Sequence, residues 1–188
     1  MKKFNYLHRS AKRFSLLLIV GSMMISGIYA QNMSRYITIR CLTNKDISMR
    51  LAADSPNTPV KIVSGDSTYT STIDTAISSV LSFQSAAYTM TIYGDVNVLD
   101  MYSPSTKDMT SIDASHNAGL CTLWCNNSNL MNINLKGCTA LRYLCCHNGK
   151  LTSLDVSNFN IIARNNMLHK RNKFVKCKKL QSVKKDRL

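Results

Sequence analysis

A spacing that recurs every 21 residues constrains this chain more than any other feature. Met109–Asn129 forms one unit and Leu130–Lys150 the next, and a third opens at Leu151 and loses the pattern after Phe159. In register, Met109, Leu130 and Leu151 coincide, as do Ile112, Ile133 and Leu154, then Ala114, Leu135 and Val156. The second half of each unit matches as well: Leu120 with Leu141, Leu123 with Leu144, Cys125 with Cys146 and Asn127 with Asn148. A unit of about 20 residues cannot bury its apolar side alone, so such units must stack on one another.

Each half-unit reads roughly L-x-x-L-x-(L/C). Positions i, i+3 and i+5 then point inward from a short strand and its turn, and they stack from coil to coil at roughly 4.8 Å. Cys125 and Cys146 fall on one inward column. An unbridged Cys is a small, soft hydrophobe, so packing is the expected role of this pair, ahead of a disulfide or a metal. The ninth position of a half-unit suits Asn or Cys, whose side chain bonds the backbone as the chain turns out of the strand. It holds Asn117, Ser128, Cys138, Gly149 and Phe159 in succession, and only Asn117 and Cys138 fit well.

The segments Met109–Ser128, Cys138–Gly149 and Leu151–Phe159 carry a resemblance. They resemble the repeats of bacterial leucine-rich-repeat surface proteins of the internalin-like kind, which read like LTSLDVSxNTALxxLxCxxN. The match covers about 50 residues strictly and about 80 with the lead-in Thr89–Met101, where Val96, Leu99 and Met101 fit one degenerate half-unit. The resemblance implies a leucine-rich-repeat solenoid of about three coils, and in larger relatives it implies adhesion or host contact. Repeats of this kind bind many ligands, so the fold follows more firmly than the function.

The segment 31–95 has no repeat but carries strand signals at Tyr36–Cys41, Ile47–Ala52, Val60–Val63 and Tyr88–Tyr93. Turn residues separate them at Asn44–Asp46, Asp54–Asn57, Gly65–Asp66 and Gly94–Asp95. Ser67–Tyr88 is rich in Ser and Thr and reads as a loop with a short helix near Asp74–Leu81. The expected fold class is mainly β: a repeat array at 96–159 behind a β-rich N-terminal cap module at 31–95. A bare end would expose the apolar core, which is why a cap is expected. A separate binding domain is the rival reading of 31–95.

The formal net charge of +14 belongs to the ends. Residues 1–30 carry five Lys/Arg and no acid, residues 163–188 carry ten Lys/Arg and one acid, and 31–162 is neutral with nine of each. A basic chain suggests nucleic acid or an anionic membrane, but the organised middle has no such bias, so no specific nucleic-acid partner is expected. At the N-terminus a basic stretch precedes an apolar run of about 17 residues ending at Ala30. That run falls short of the roughly 20 residues a spanning helix needs, and the pattern is that of a secretory signal peptide over 1–30. The expectation is an exported protein of the bacterial envelope, surface or exterior, with no transmembrane segment after cleavage. The basic segment 160–188 reads as a tail or a degenerate repeat, in which Phe174, Cys177, Leu180 and Val183 echo the spacing of Leu135, Cys138, Leu141 and Leu144.

No catalytic set declares itself. There is no P-loop, dinucleotide fingerprint or H-E-x-x-H. Asp113 and Asp155 share a column two coils apart, roughly 10 Å, wide for a carboxylate pair. His147 follows Cys146, but the repeat sends Cys146 inward and His147 outward, so no Cys/His pair is expected. The seven cysteines include no C-x-x-C, and no metal or cofactor is expected. A binding face is the better expectation. Strand alternation presents Thr122, Trp124 and Asn126 beside Tyr143, Cys145 and His147 on one side. On the other it presents Ser111, Asp113 and Ser115 beside Asn132, Asn134 and Lys136, then Ser153, Asp155 and Ser157. Trp124 is the only Trp and aromatics dominate interface hot spots, so the ligand-binding face is placed at Thr122, Trp124, Asn126, Tyr143 and His147. The expected ligand is a protein or a glycan. The alternative is a truncated remnant of a longer repeat protein without binding activity of its own, since three coils is near the minimum for such an array.

Overall fold

A computed structural model describes residues 31–101, 105–147 and 149–155, together with the backbone of four strands between residues 161 and 184. The expected signal peptide, Val156, Ser157 and Phe159, and the echo residues Cys177 and Leu180 lie outside the described residues. The fold is mainly β, and its only helical piece among the described residues is a 3-10 turn at Ser105–Lys107.

All four strand signals of the N-terminal segment are realised, as β1 (Tyr36–Cys41), β2 (Asp46–Ala53), β3 (Thr58–Ser64) and β6 (Thr89–Tyr93). Their apolar residues alternate inward: Ile37 and Ile39, Ile47, Met49 and Leu51, Val60 and Ile62, Met90 and Ile92 are all essentially solvent-free. The turns fall where expected. Asn44 and Asn57 both take φ of 55°, a left-handed conformation that Asn tolerates better than most residues. Gly94 takes φ of 129°, and a Cβ there would lie 2.8 Å from the Pro59 carbonyl oxygen, so this turn requires glycine.

The Ser/Thr-rich stretch departs from expectation. It forms strands β4 (Ser67–Ile73) and β5 (Leu81–Gln84), and Asp74–Val80 is irregular, not helical. The two-residue link Gly65–Asp66, with Gly65 at φ of 57°, closes a hairpin that pairs β3 with β4 from Ser64↔Ser67 to Thr58↔Ile73. Once register is set, Thr68, Thr70 and Thr72 lie exposed on one face, and β-branched Thr suits a strand there. Hairpin geometry thus overrides the loop-like composition.

The repeat segment supplies β7 (Val96–Met101), β8 (Met109–Asp113), β9 (Thr122–Trp124), β10 (Asn132–Asn134), β11 (Tyr143–Cys145) and β12 (Ser153–Asp155). From β7 to β11 the chain alternates between two mixed sheets. One runs β10-β8-β1-β6-β3-β4, and the other holds β11-β9-β7-β2-β5. Parallel pairing sets Ile112 beside Ile133 in the first sheet, and Leu99, Leu123 and Leu144 side by side in the second. Between the first two units the columns read from the 21-residue spacing are therefore real backbone neighbours, whereas Leu154 on β12 pairs with Val183 and not with Ile133 on β10. Strand β12 lies beside β10.

The N-terminal strands continue both sheets. Strand β1 pairs antiparallel with β8 and β2 pairs antiparallel with β7. A single apolar core runs from Ile37 and Met49 through Leu99 and Leu123 to Leu151 and Leu154. Beyond β12, the backbone of β13 (Ile161–Arg164), β14 (Met167–Lys170) and β15 (Lys173–Lys176) extends the second sheet, with β15 parallel to β11. Strand β16 (Ser182–Lys184) pairs with β12, with Val183 the register partner of Leu154.

Candidate binding face

The outer face of the second sheet is built in rows that cross four strands. One row runs Arg50, Asp100, Trp124 and Cys145, and the next runs Ala52, Val98, Thr122 and Tyr143. The ladder continues past the strand ends, where the Cys125 N–H donates to the Cys145 carbonyl at 2.8 Å and the Asn127 N–H to the His147 carbonyl at 2.9 Å. That continuation sets Asn126 beside His147. The structure thus brings together all five residues of the expected face.

They are not equally available. Tyr143 is 45% exposed, and Trp124, Asn126 and His147 are half-buried. Thr122 is only 8% exposed, because Val98 and Tyr143 flank it in its row. It is a buried neighbour of the face, not part of its contact surface. Sequence alternation gives a side chain's direction but not how far the neighbouring strands cover it.

Two features of the face were missed in sequence. Asp100 is buried at 6% exposure beside Trp124, and Arg50 Nε donates to its Oδ2 at 2.8 Å, with an Nη2 contact to the same oxygen. Fifty residues separate the two, so only the antiparallel β2–β7 register reveals the pair. The expectation of no Cys/His pair is also corrected. Cys146 does turn inward at 4% exposure, but the preceding Cys145 turns outward, and its Sγ lies 3.1 Å from His147 Nδ1. Strand alternation puts residues i and i+2 on one side, so Cys145 and not Cys146 was the residue to test against His147.

On the other sheet, Ser111 pairs with Asn132 and Asp113 with Asn134, and these residues line a shallow depression of about 330 Å³. Burial would raise the Asp113 carboxyl, but hydrogen bonds from the Ser115 hydroxyl, the Ser115 N–H at 2.9 Å and the Asn134 side chain hold it below its ordinary value. The His116 ring beside it acts in the same direction. Nearby, His116 stacks on Tyr36 with ring centroids 4.4 Å apart, a contact between residues far apart in sequence. A cleft of about 520 Å³ in the N-terminal region is bordered by Arg35 and Asp95, which are already tied to each other at 2.7 Å.

Among the described residues, no three His, Cys, Asp or Glu side chains converge as metal ligands would, and no helix is long and apolar enough to cross a membrane. Cys41, Cys121, Cys125, Cys138, Cys145 and Cys146 are all unbridged. No family model, no curated protein and no solved structure matches the chain.

Proposed function

We propose that this chain is an exported leucine-rich-repeat protein that binds a protein or glycan ligand through the outer face of its second sheet. The observation that carries this reading is the register that sets Trp124 between Asp100 and Cys145, with exposed Tyr143 and half-buried His147 beside it. An amphipathic aromatic pair flanked by polar groups is the kind of surface that anchors a partner or stacks on a sugar ring.

The repeat is a short solenoid in this reading. Parallel stacking at a 21-residue offset supports it, as do the inward columns Ile112–Ile133 and Leu99–Leu123–Leu144. The N-terminal segment serves as its cap, because β1 and β2 cover the sheet edges that β8 and β7 would otherwise leave open. The resemblance to internalin-like surface proteins points to adhesion at the envelope or outside the cell. No enzyme activity is proposed.

Trp124 is the only Trp of the chain, so its fluorescence reports directly on this face. The test is a glycan array and a panel of surface proteins, followed by fluorescence titration of each hit. A ligand that shifts Trp124 emission, and whose affinity falls at least about tenfold in Trp124→Ala, supports the proposal. Hits unaffected by Trp124→Ala would place recognition elsewhere. A steep loss of affinity with added salt would assign it to the basic segment 160–188.

A further inference from the structure

We propose that Cys145 is the most reactive thiol among the described cysteines, activated by His147 for exchange with a small disulfide, and therefore a site of reversible S-thiolation. The inference concerns a covalent modification and stands whether or not the face binds a ligand.

The geometry separates Cys145 from the other described cysteines. Cys41, Cys125, Cys138 and Cys146 are buried at 4% exposure or less. Among the described cysteines only Cys121 and Cys145 are partly exposed. Of these two, Cys145 has an imidazole nitrogen 3.1 Å from its sulfur. A thiol beside a histidine is the arrangement that generates thiolate at moderate pH, because the ring nitrogen accepts the proton and the resulting imidazolium stabilises the anion. Among the described residues, Asp100 lies in the same row beyond Trp124 and is held by Arg50, and the backbone of Lys176 on β15 is the register partner of Cys145. Tyr143 in the adjacent row is 45% exposed.

The step balances without further reagents. The Cys145 proton passes to Nδ1 of His147, and the thiolate attacks one sulfur of a disulfide R–S–S–R. A Cys145–S–S–R bond forms, the R–S–S–R bond breaks, and R–S⁻ leaves and takes the proton from the imidazolium. Cys145 is oxidised to the mixed disulfide, and one half of the small disulfide is reduced to R–SH. A second thiol reverses the reaction.

The experiment exposes the folded full chain to excess oxidised glutathione and maps the modified cysteine by mass spectrometry over time. Cys145 is expected to take the adduct first, about tenfold faster than Cys121, and His147→Gln should slow Cys145 by about tenfold while leaving Cys121 unchanged. If Cys121 reacts as fast as Cys145, or if a folded His147→Gln variant keeps the full Cys145 rate, the proposal fails. Labelling of Cys125 and Cys146 would reveal a variant that has lost its fold. In that case the wild-type chain decides. Cys145 must react faster in the native protein than after unfolding in urea, and a slower native rate overturns the assignment.

Discussion

Asn117 Nδ2 donates to the Val96 carbonyl oxygen at 2.9 Å from a position with no solvent exposure, and its Oδ1 accepts from Arg35 Nη2 at 2.8 Å. One side chain thereby ties the turn after β8 to the first residue of β7 and to the segment leading into β1. Replacing Asn117 with Ala removes the amide donor to the Val96 carbonyl, which keeps only a 3.5 Å contact from Arg35 Nη2, and the acceptor shared by Arg35 Nε and Nη2. Unmade buried hydrogen bonds cost about 1–3 kcal/mol each, so Asn117→Ala should destabilise by about 2 kcal/mol and lower the urea midpoint by roughly 1 M. An unchanged midpoint would show that water replaces the amide without loss.

Ser128 occupies the equivalent turn position in the next half-unit and does the opposite. Its Oγ is buried, with no hydrogen-bond partner among the described residues. The hydroxyl gives up water on folding and gains nothing, which costs about 1 kcal/mol or more. Ser128→Ala should therefore leave stability unchanged or raise it by up to about 1 kcal/mol. A clear drop in Tm would mean that the hydroxyl is satisfied in solution.

Cys138 fills the same position one half-unit later, and its Sγ donates to the Ala114 carbonyl at 3.0 Å. Burial pushes this thiol up from its ordinary 9.0 to about 12, and the nearby Asp113 charge adds to the shift. A folded value above the unfolded one means that the stabilising contribution is complete below pH 9 and is lost as pH rises from about 9 to about 12. Urea titrations across that range should show wild type losing stability more steeply than Cys138→Ala. Equal slopes would indicate that the thiol is not the alkaline trigger.

These positions also show what was legible in sequence. The period of 21 named the inward columns correctly, because burial of one apolar face imposes its spacing on the chain itself. It also singled out Asn117 and Cys138 as the turn residues that bond the backbone, and both do. The side-by-side placement of Trp124, Tyr143 and His147 was legible for the same reason. Strand β4 was not, since its Thr-rich edge sets only Tyr69 and Ile73 against the core and is fixed by its partner; β5 was not, since Leu81 and Phe83 alternate over only four residues. Nor was the Arg50–Asp100 pair, or the stacking of His116 on Tyr36, because both depend on which distant strands become neighbours. Cys145 with His147 lay within reach at a spacing of two, but the adjacent Cys146 drew the comparison.

The Arg50–Asp100 pair gives the last prediction. Asp100 is 6% exposed, whereas the Arg50 side chain is 37% exposed. Removing the guanidinium leaves a carboxylate that water can hardly reach, next to Trp124. Breaking a fully buried pair from one side costs about 3–5 kcal/mol, and the half-exposed arginine here reduces that to about 2 kcal/mol for Arg50→Met. The double variant Arg50→Met/Asp100→Asn leaves no buried charge and should recover most of the loss. Urea titration of the two variants at pH 7 measures the difference, with Trp124 fluorescence as the local reporter. Equal destabilisation of single and double variants would show that Arg50 contributes through its packing and not through the charge it neutralises.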